Sequence, residues 1–469
     1  MRKLLFTLLC VLTIVIVKAQ NADFKPSGNL YGQVFGDYYY MMHADSLGRG
    51  AGNVQYKPYS VQSVLTPAIP TAVTSTPIVY TSGPKKGQDS LITNKLTAPK
   101  NNILGSGLNN NKGTNAFQLR RVYLSYDYNF APKFTAYTTL ADEQNLDAGG
   151  NNTFLLKAAY VKWADIFSKS TLIIGQQPTP SFATNTEQLW GYRSIEKTIM
   201  DMHNNDASSD LGIALQGDLW RGMSGDSLKP DIFGYMVQIG NGNSAKPEND
   251  GYKNLRWTLN ANLFQQSLAF GYYGDFHTTF VGTTGGKPDQ SVFTTKVYAN
   301  YKIKDIFKIG GELFTQSWKN GANYQTGAAT SYENIIIMGW SVFASGNITK
   351  KLDFFARLDM YNPDTKYSKN KTYNSVTAPI SPSWGSPTVA LAPFSLGGSA
   401  VSQSAVFSTQ TFYTLGFDYT PVKKLHIMPN IWVDKFSSMV DASKLGSAKL
   451  AKSDYDFVPR ITVYYVFNK

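Results

Sequence analysis

Apolar and polar residues alternate along this chain in stretches of about ten residues, each bounded by turn-forming segments. In Leu255-Arg256-Trp257-Thr258-Leu259-Asn260-Ala261-Asn262-Leu263 every odd position is apolar and every even one polar. Between Leu352 and Tyr361, Leu352, Phe354, Ala356, Leu358 and Met360 share one face, opposite Asp353, Phe355, Arg357, Asp359 and Tyr361. Applied throughout, the template gives 16 segments, beginning near residues 28, 117, 134, 153, 170, 210, 231, 254, 267, 291, 306, 335, 352, 406, 425 and 455. The connections alternate between short turns, such as Ala131-Pro132-Lys133 and Thr349-Lys350-Lys351, and long Gly/Ser/Thr/Asn/Pro-rich loops, among them 43–116, 178–209, 318–334, 362–405 and 435–454. A soluble sandwich has no reason to place its long loops on alternate connections. The pattern predicts an all-β chain: a transmembrane up-and-down antiparallel barrel of about 16 strands, with long extracellular loops and short periplasmic turns.

Aromatic placement agrees with a membrane. Tyr38-Tyr39-Tyr40, Tyr126, Tyr128, Trp163, Tyr272-Tyr273, Tyr361, Tyr419 and Tyr464-Tyr465 fall near predicted strand ends, where amphipathic rings favour the headgroup level. No apolar run beyond the N-terminus is long enough for a membrane helix. Arg2 and Lys3 precede the apolar stretch Leu4–Val17 and then Val17-Lys18-Ala19, which reads as a secretory signal peptide over 1–19 ahead of a single barrel domain over 20–469. The lone Cys10 lies inside that signal, so the mature chain forms neither disulfide nor thiolate metal site. Charged residues are only 16% and aromatics 14%, which excludes disorder. The net charge of +12 falls to +9 once Arg2, Lys3 and Lys18 are removed. Its lysines are dispersed in loops, a poor match to a nucleic-acid surface.

A barrel of this size leaves an aqueous lumen lined by the polar face of each strand. The candidate lumen wall comprises Asp127, Arg256, Lys296, Lys308, Glu312, Asp353, Arg357 and Asp359, with Arg121, Lys157, Asp37, Asp418 and Asp434 in the same class. Opposite charges nearly balance there, and pairs between neighbouring strands serve register as readily as selectivity. The positive excess sits in loops 43–116 and 435–454, where it draws anions, binds lipopolysaccharide phosphates or merely keeps the loops solvated. Loop 178–209 stands apart. Ser194 is placed to N-cap a short helix with Ile195, Ile199 and Met202 on one face and Glu196, Lys197 and Asp201 on the other, just after Arg193. An apolar helix face needs a wall to pack on, so the loop is expected to fold into the channel and bring Arg193, Glu196, Lys197 and Asp201 to a constriction, the alternative being a helix that lies over the barrel rim.

Phe117-Gln118-Leu119-Arg120-Arg121-Val122-Tyr123-Leu124-Ser125-Tyr126 resembles the arginine-pair strand of the phosphate-selective porin O/P-like family. Trp190-Gly191-Tyr192-Arg193-Ser194-Ile195-Glu196-Lys197, followed by Asp210-Leu211-Gly212-Ile213, is similar to that family's third loop and next strand. Val237-Gln238-Ile239-Gly240-Asn241-Gly242 resembles its Asn-Gly strand end, so the likeness covers residues 117–242. It implies a 16-stranded, often trimeric outer-membrane porin whose basic residues guide anions such as phosphate, with Arg120, Arg121, Arg193 and Lys197 inheriting that role. The acidic wall residues depart from the pattern, as does the C-terminal Phe467-Asn468-Lys469.

The expected function is passive diffusion of small polar solutes, without cofactor or chemistry. An embedded enzyme would need an activated nucleophile, yet His43, His203, His277 and His426 are scattered and no Gly-x-Ser-x-Gly elbow is present. The other reading is a structural or secretion-associated barrel plugged by its own long loops.

Overall fold

In a computed structural model, the alternating segments form 16 wall strands. The structure describes residues 24–45, 112–143, 152–222, 229–248, 251–280, 288–304, 306–326, 329–368, 408–439 and 453–468, with short ribbons at 78–79, 89–90, 373–376 and 389–390. The proposed signal, most of loop 43–116 and residues 440–452 lie outside them. The wall strands are β1 (Ser27–Tyr40), β2 (Asn115–Ala131), β3 (Phe134–Asp142), β4 (Leu155–Phe167), β5 (Ser170–Pro178), β6 (Ser209–Arg221), β7 (Ile232–Gly240) and β8 (Asn254–Leu263). They continue as β9 (Leu268–Phe280), β10 (Gln290–Ile303), β11 (Phe307–Thr326), β12 (Ala329–Thr349), β13 (Leu352–Asn362), β14 (Ser408–Val422), β15 (Leu425–Ser438) and β16 (Asp454–Phe467). Each pairs antiparallel with its neighbours in chain order. The wall closes where β1 meets β16, from Gly32 opposite Phe467 to Tyr39 opposite Arg460. Closure leaves the wall without an edge, which hydrocarbon would penalise.

Burial follows the sequence alternation with the sign opposite to a soluble protein. On β8, Leu255 and Leu259 are exposed while Arg256 and Thr258 are buried; on β13, Met360 is exposed while Arg357 and Asp359 are buried. Apolar side chains face outward and polar ones face the lumen, as in a transmembrane barrel. Leu259, 52% exposed near mid-strand, offers a direct check. Leu259→Arg should destabilise the bilayer-inserted barrel by about 2–4 kcal/mol, and urea titration in lipid vesicles would read the loss. The same change on a water-facing sheet would cost almost nothing.

Two local features depart from simple alternation. The expected loop 318–334 is instead a hairpin, with β11 running to Thr326 and β12 starting at Ala329. Its pairing slips between Trp318 and Ala322, where Asn320 takes a φ of 53°, so the strands continue past a bulge that reads as turn chemistry in the sequence. On β2, Phe35 pairs with Arg121 but Gly36 with Leu119, leaving Arg120 as the extra residue of a bulge. Adjacent residues on a regular strand point to opposite faces. The bulge lets both Arg120 and Arg121 turn inward, where they are 3% and 6% exposed.

Candidate functional site

The segment between β5 and β6 carries two short helices, α1 (Thr186–Trp190) and α2 (Ile199–Met202). Asn185 caps α1, its Oδ1 accepting from the Thr186 N–H at 2.5 Å, and Gly191 ends it at a φ of 77°, which suits glycine. The helix expected from Ser194 does not form. Residues 192–196 make a turn in which the Tyr192 carbonyl accepts from the Ile195 and Glu196 N–H groups, and α2 begins only after Thr198. The reason lies in the wall: Arg120 Nη1 donates to the Ser194 and Ile195 carbonyls at 2.8 Å, and Arg357 Nη1 to the Lys197 carbonyl at 2.5 Å. Those are carbonyls that a continuing helix would use for itself.

The apolar side of the segment is buried against the lumen wall from β9 round to β1. Phe182, Ile199 and Met200 pack with Tyr273, Val292, Phe314, Ile337 and Tyr361. Trp190 and Ile195 pack with Phe343, Phe355 and Met428, and Met202 with Tyr39, Phe412 and Trp432. Ile199 reaches the wall where β12 has Gly339. A Cβ there would stand 2.3 Å from Phe314 Cε1 and 3.1 Å from Ile199 Cδ1. Gly339→Val should displace Phe314 and unseat Ile199, at a cost of about 1–3 kcal/mol, readable as a lower urea midpoint with the barrel still heat-modifiable.

Polar contacts hold the segment to the same side. Lys296 Nζ donates to the Ser181 carbonyl, to Asn185 Oδ1 and Thr186 Oγ1 at 3.1 Å, and pairs with Glu312 at 3.3 Å. Lys308 Nζ donates to the Leu189 and Trp190 carbonyls at 3.1 and 2.9 Å. Arg256 grips Asp206 through two nitrogens at 2.9 and 2.8 Å and reaches Asp210 at 2.7 Å. Arg357 is held on its own strand by Asp359.

Several predicted site residues therefore have partners that the sequence does not show. Arg256, Lys296, Glu312, Arg357 and Asp359 are covered by the segment instead of lining open water. Arg120 is engaged with loop carbonyls and with Asp37, so it holds the segment and is not presented to solute. Glu196 is fully buried; its Oε1 accepts from the Lys197 N–H, and its carbonyl from Trp190 Nε1. Asp127, Lys308 and Asp353 remain half-buried on the lumen face. Asp418 Oδ1 lies 2.9 Å from His426 Nδ1 at the β14–β15 hairpin, a pair that alternation does not reveal.

On the β1–β4 side the segment is held at fewer points, by Arg120 on β2 and by the packing of Met202 on Tyr39 of β1. Between the segment and β1–β4 lies a cavity of about 240 Å³, faced by Tyr31, Tyr123, Tyr137 and Lys157 from the wall and by Glu187 and Arg193 from the segment. A larger one, about 680 Å³, lies toward the short-turn end, between α1 and the walls of β4–β10. At the upper rim of the first, Arg193 pairs with Glu187 at 3.0 Å, Asp201 at 3.2 Å and Glu143 at 3.7 Å. Lys197 pairs with Asp201 at 3.4 Å, and Lys157 with Glu143 at 2.8 Å, which also accepts from the Tyr123 hydroxyl. Arg121 acts on the same carboxylates electrostatically while its Nη1 has no hydrogen-bond partner. Arg193, Lys197, Asp201 and Arg121 are thus brought together. Sequence reading missed Glu143 and Glu187, which lie on a strand end and on α1, far from the arginine motif in the chain.

The balance of this cluster depends on pH. Burial pushes the Glu187 carboxyl up to about 7, the Arg193 guanidinium opposing it and Asp201 reinforcing it. Burial would raise Asp201 as well, but Lys197 and Arg193 hold it down to about 2. With every group ionised, Arg121, Lys157, Arg193 and Lys197 face Glu143, Glu187 and Asp201, one net positive charge. Below about 7 Glu187 gains a proton and the net charge rises by one. If the cavity conducts, anion preference should strengthen as pH falls through that value, and Glu187→Gln should remove the step. Reversal potentials at a series of pH values would show it.

Known structures sharing this architecture include the outer membrane channel DcaP of Acinetobacter baumannii, at 11% identity over 96% of this chain and 100% of that one, TM-score 0.52. The fold is that of a general porin. Lower on the same scale are an anion-selective porin from Comamonas acidovorans (10% identity, 94% of this chain and 100% of that one, TM-score 0.48) and OmpF of Salmonella typhi in complex with daunomycin (11%, 94% and 97%, TM-score 0.46). No family profile and no curated protein sequence matches the chain. At these identities the likeness is one of fold, and the phosphate-selective group suggested by residues 117–242 is not among these structures.

Proposed function

We propose that this protein is an outer-membrane channel for passive diffusion of small polar solutes, with an off-centre passage that favours anions. The observation that carries the reading is the asymmetry of the lumen: most polar anchors of segment 178–209 come from β8 to β13, with Arg120 of β2 beside them, while a cavity stays open against β1–β4. Arg121, Arg193 and Lys197 are the solute-guiding cations, Lys157 joins them, and Glu143, Glu187 and Asp201 hold them in place. Arg120 and Glu196 position the segment. Cations that are partly desolvated attract small anions more strongly than the same charges in bulk water. Phosphate and chloride are the natural test ions. The likeness of the fold to the outer membrane channel DcaP supports this reading of the barrel.

Single-channel recording in a planar bilayer under a salt gradient tests the proposal. Stepwise conductance with a reversal potential of anion-selective sign is the expected result. Folded, heat-modifiable protein without conductance would replace it with the closed-barrel reading, in which the same segment is a plug.

A further inference from the structure

The short turns hold an excess of lysine that the channel reading does not use. Lys133 lies in the β2–β3 turn, Lys169 in β4–β5, and Lys302 and Lys304 flank β10–β11. The β12–β13 turn is Lys350-Lys351 and the β14–β15 turn contains Lys423-Lys424. All are exposed except Lys424, which is half-buried, and none forms an ion pair among the described residues. The described acids at this end are Asp165, which is exposed, Asp218, paired with Arg221, Asp231, which accepts from the Gln265 N–H, and Asp353 and Asp418, which turn to the lumen, so the lysines outnumber them.

Backbone geometry adds an independent observation. Lys169, Lys304 and Lys424 have φ of 59°, 48° and 75°, the left-handed region in which glycine or asparagine is the favoured turn residue. Lysine stands at three turn positions where conformation alone argues for another residue. Each lysine also follows an outward apolar side chain by one to three residues: Phe130 before Lys133, Phe167 before Lys169, Ile303 before Lys304, Ile348 before Lys350 and Val422 before Lys423. The amines therefore stand just beyond the edge of the lipid-facing band, spread over separate hairpins from β2 to β15.

We propose that this lysine collar binds the anionic phosphate headgroups of phospholipids in the leaflet at the short-turn end. A soluble acidic partner would meet only one arc of the rim, whereas a lipid leaflet meets the whole circumference at headgroup depth. The aliphatic stems lie along the apolar edge while the amines reach the phosphates. The inference rests on the membrane-spanning barrel and not on whether the pore conducts.

The full chain, refolded into phosphatidylcholine bilayers containing spin-labelled phosphatidylglycerol or spin-labelled phosphatidylcholine, gives the test by electron paramagnetic resonance. The immobilised lipid shell should favour phosphatidylglycerol by about fivefold, and salt should erase that preference. Replacing Lys133, Lys169, Lys304, Lys350 and Lys423 together with Gln should bring the ratio to near one, whereas Lys112→Gln, Lys246→Gln and Lys319→Gln at the long-loop end should leave it. If the quintuple variant fails to fold, salt titration of the unmodified protein still decides. Equal association of both lipids, a preference insensitive to salt, or its loss only in the long-loop variants would overturn the proposal. Competition by dilute inorganic phosphate would point to a free-anion site and also overturn it.

Discussion

Replacing Lys296 with Met is expected to release segment 178–209 from the wall and to destabilise the barrel by about 3–5 kcal/mol. Lys296 is 1% exposed and is the shared donor for Ser181, Asn185 and Thr186. Methionine nearly preserves the volume but removes these bonds and leaves the buried Glu312 carboxylate without its cation. An unpaired buried charge is the expensive outcome, so most of the loss should vanish in a Lys296→Met/Glu312→Leu double variant. Three measurements separate the effects: urea unfolding for stability, protease cleavage within 178–209 for release, and single-channel conductance, which should rise as the lumen widens. Full stability and uncleaved protein after Lys296→Met would show that apolar packing alone seats the segment.

Reversing Arg193 has the second large effect. Arg193→Glu changes the charge of the cluster by two, from one net positive to one net negative, and abolishes pairs to Glu187, Asp201 and Glu143 together. For an ion passing at about 8 Å in water-like dielectric, that change is worth about 1 kcal/mol, roughly fivefold against anions and again in favour of cations. The reversal potential under a salt gradient should change sign. Lys157→Glu supplies the parallel case from the wall, because Lys157 lines the same cavity and its Nζ pairs with Glu143 at the rim. An unchanged sign in both variants would place the selectivity elsewhere in the lumen.

Much of this fold was legible in the sequence because the two faces of each strand meet different solvents. Lipid on one side and water or polar loop on the other force the period-two pattern, and strand starts such as 134, 170, 254, 352 and 425 coincide with the structure. Features that break the period were hidden. The Arg120 bulge turns two consecutive arginines inward, and alternation alone assigns them to opposite faces. The 318–334 hairpin continues past a slipped register inside a Gly/Asn/Thr-rich stretch that resembles a loop. Within segment 178–209 the apolar positions Ile195, Ile199 and Met202 are indeed buried, but helix length is decided by Arg120 and Arg357, which belong to distant strands. Glu143 and Glu187 join Arg193 only once the segment is seated, so no local spacing discloses them.

Wall cations grip the segment largely by its main chain. Lys296, Lys308, Arg120 and Arg357 donate to carbonyls of Ser181, Leu189, Trp190, Ser194, Ile195 and Lys197, groups that every residue type possesses. The clasp is therefore blind to most side chains it holds. Residues facing the cavity from the segment are free to be exchanged while the apolar anchors and the clasp stay in place. Evolution or engineering can treat the segment as an interchangeable cartridge, refitting one barrel to a different solute without redesigning its wall.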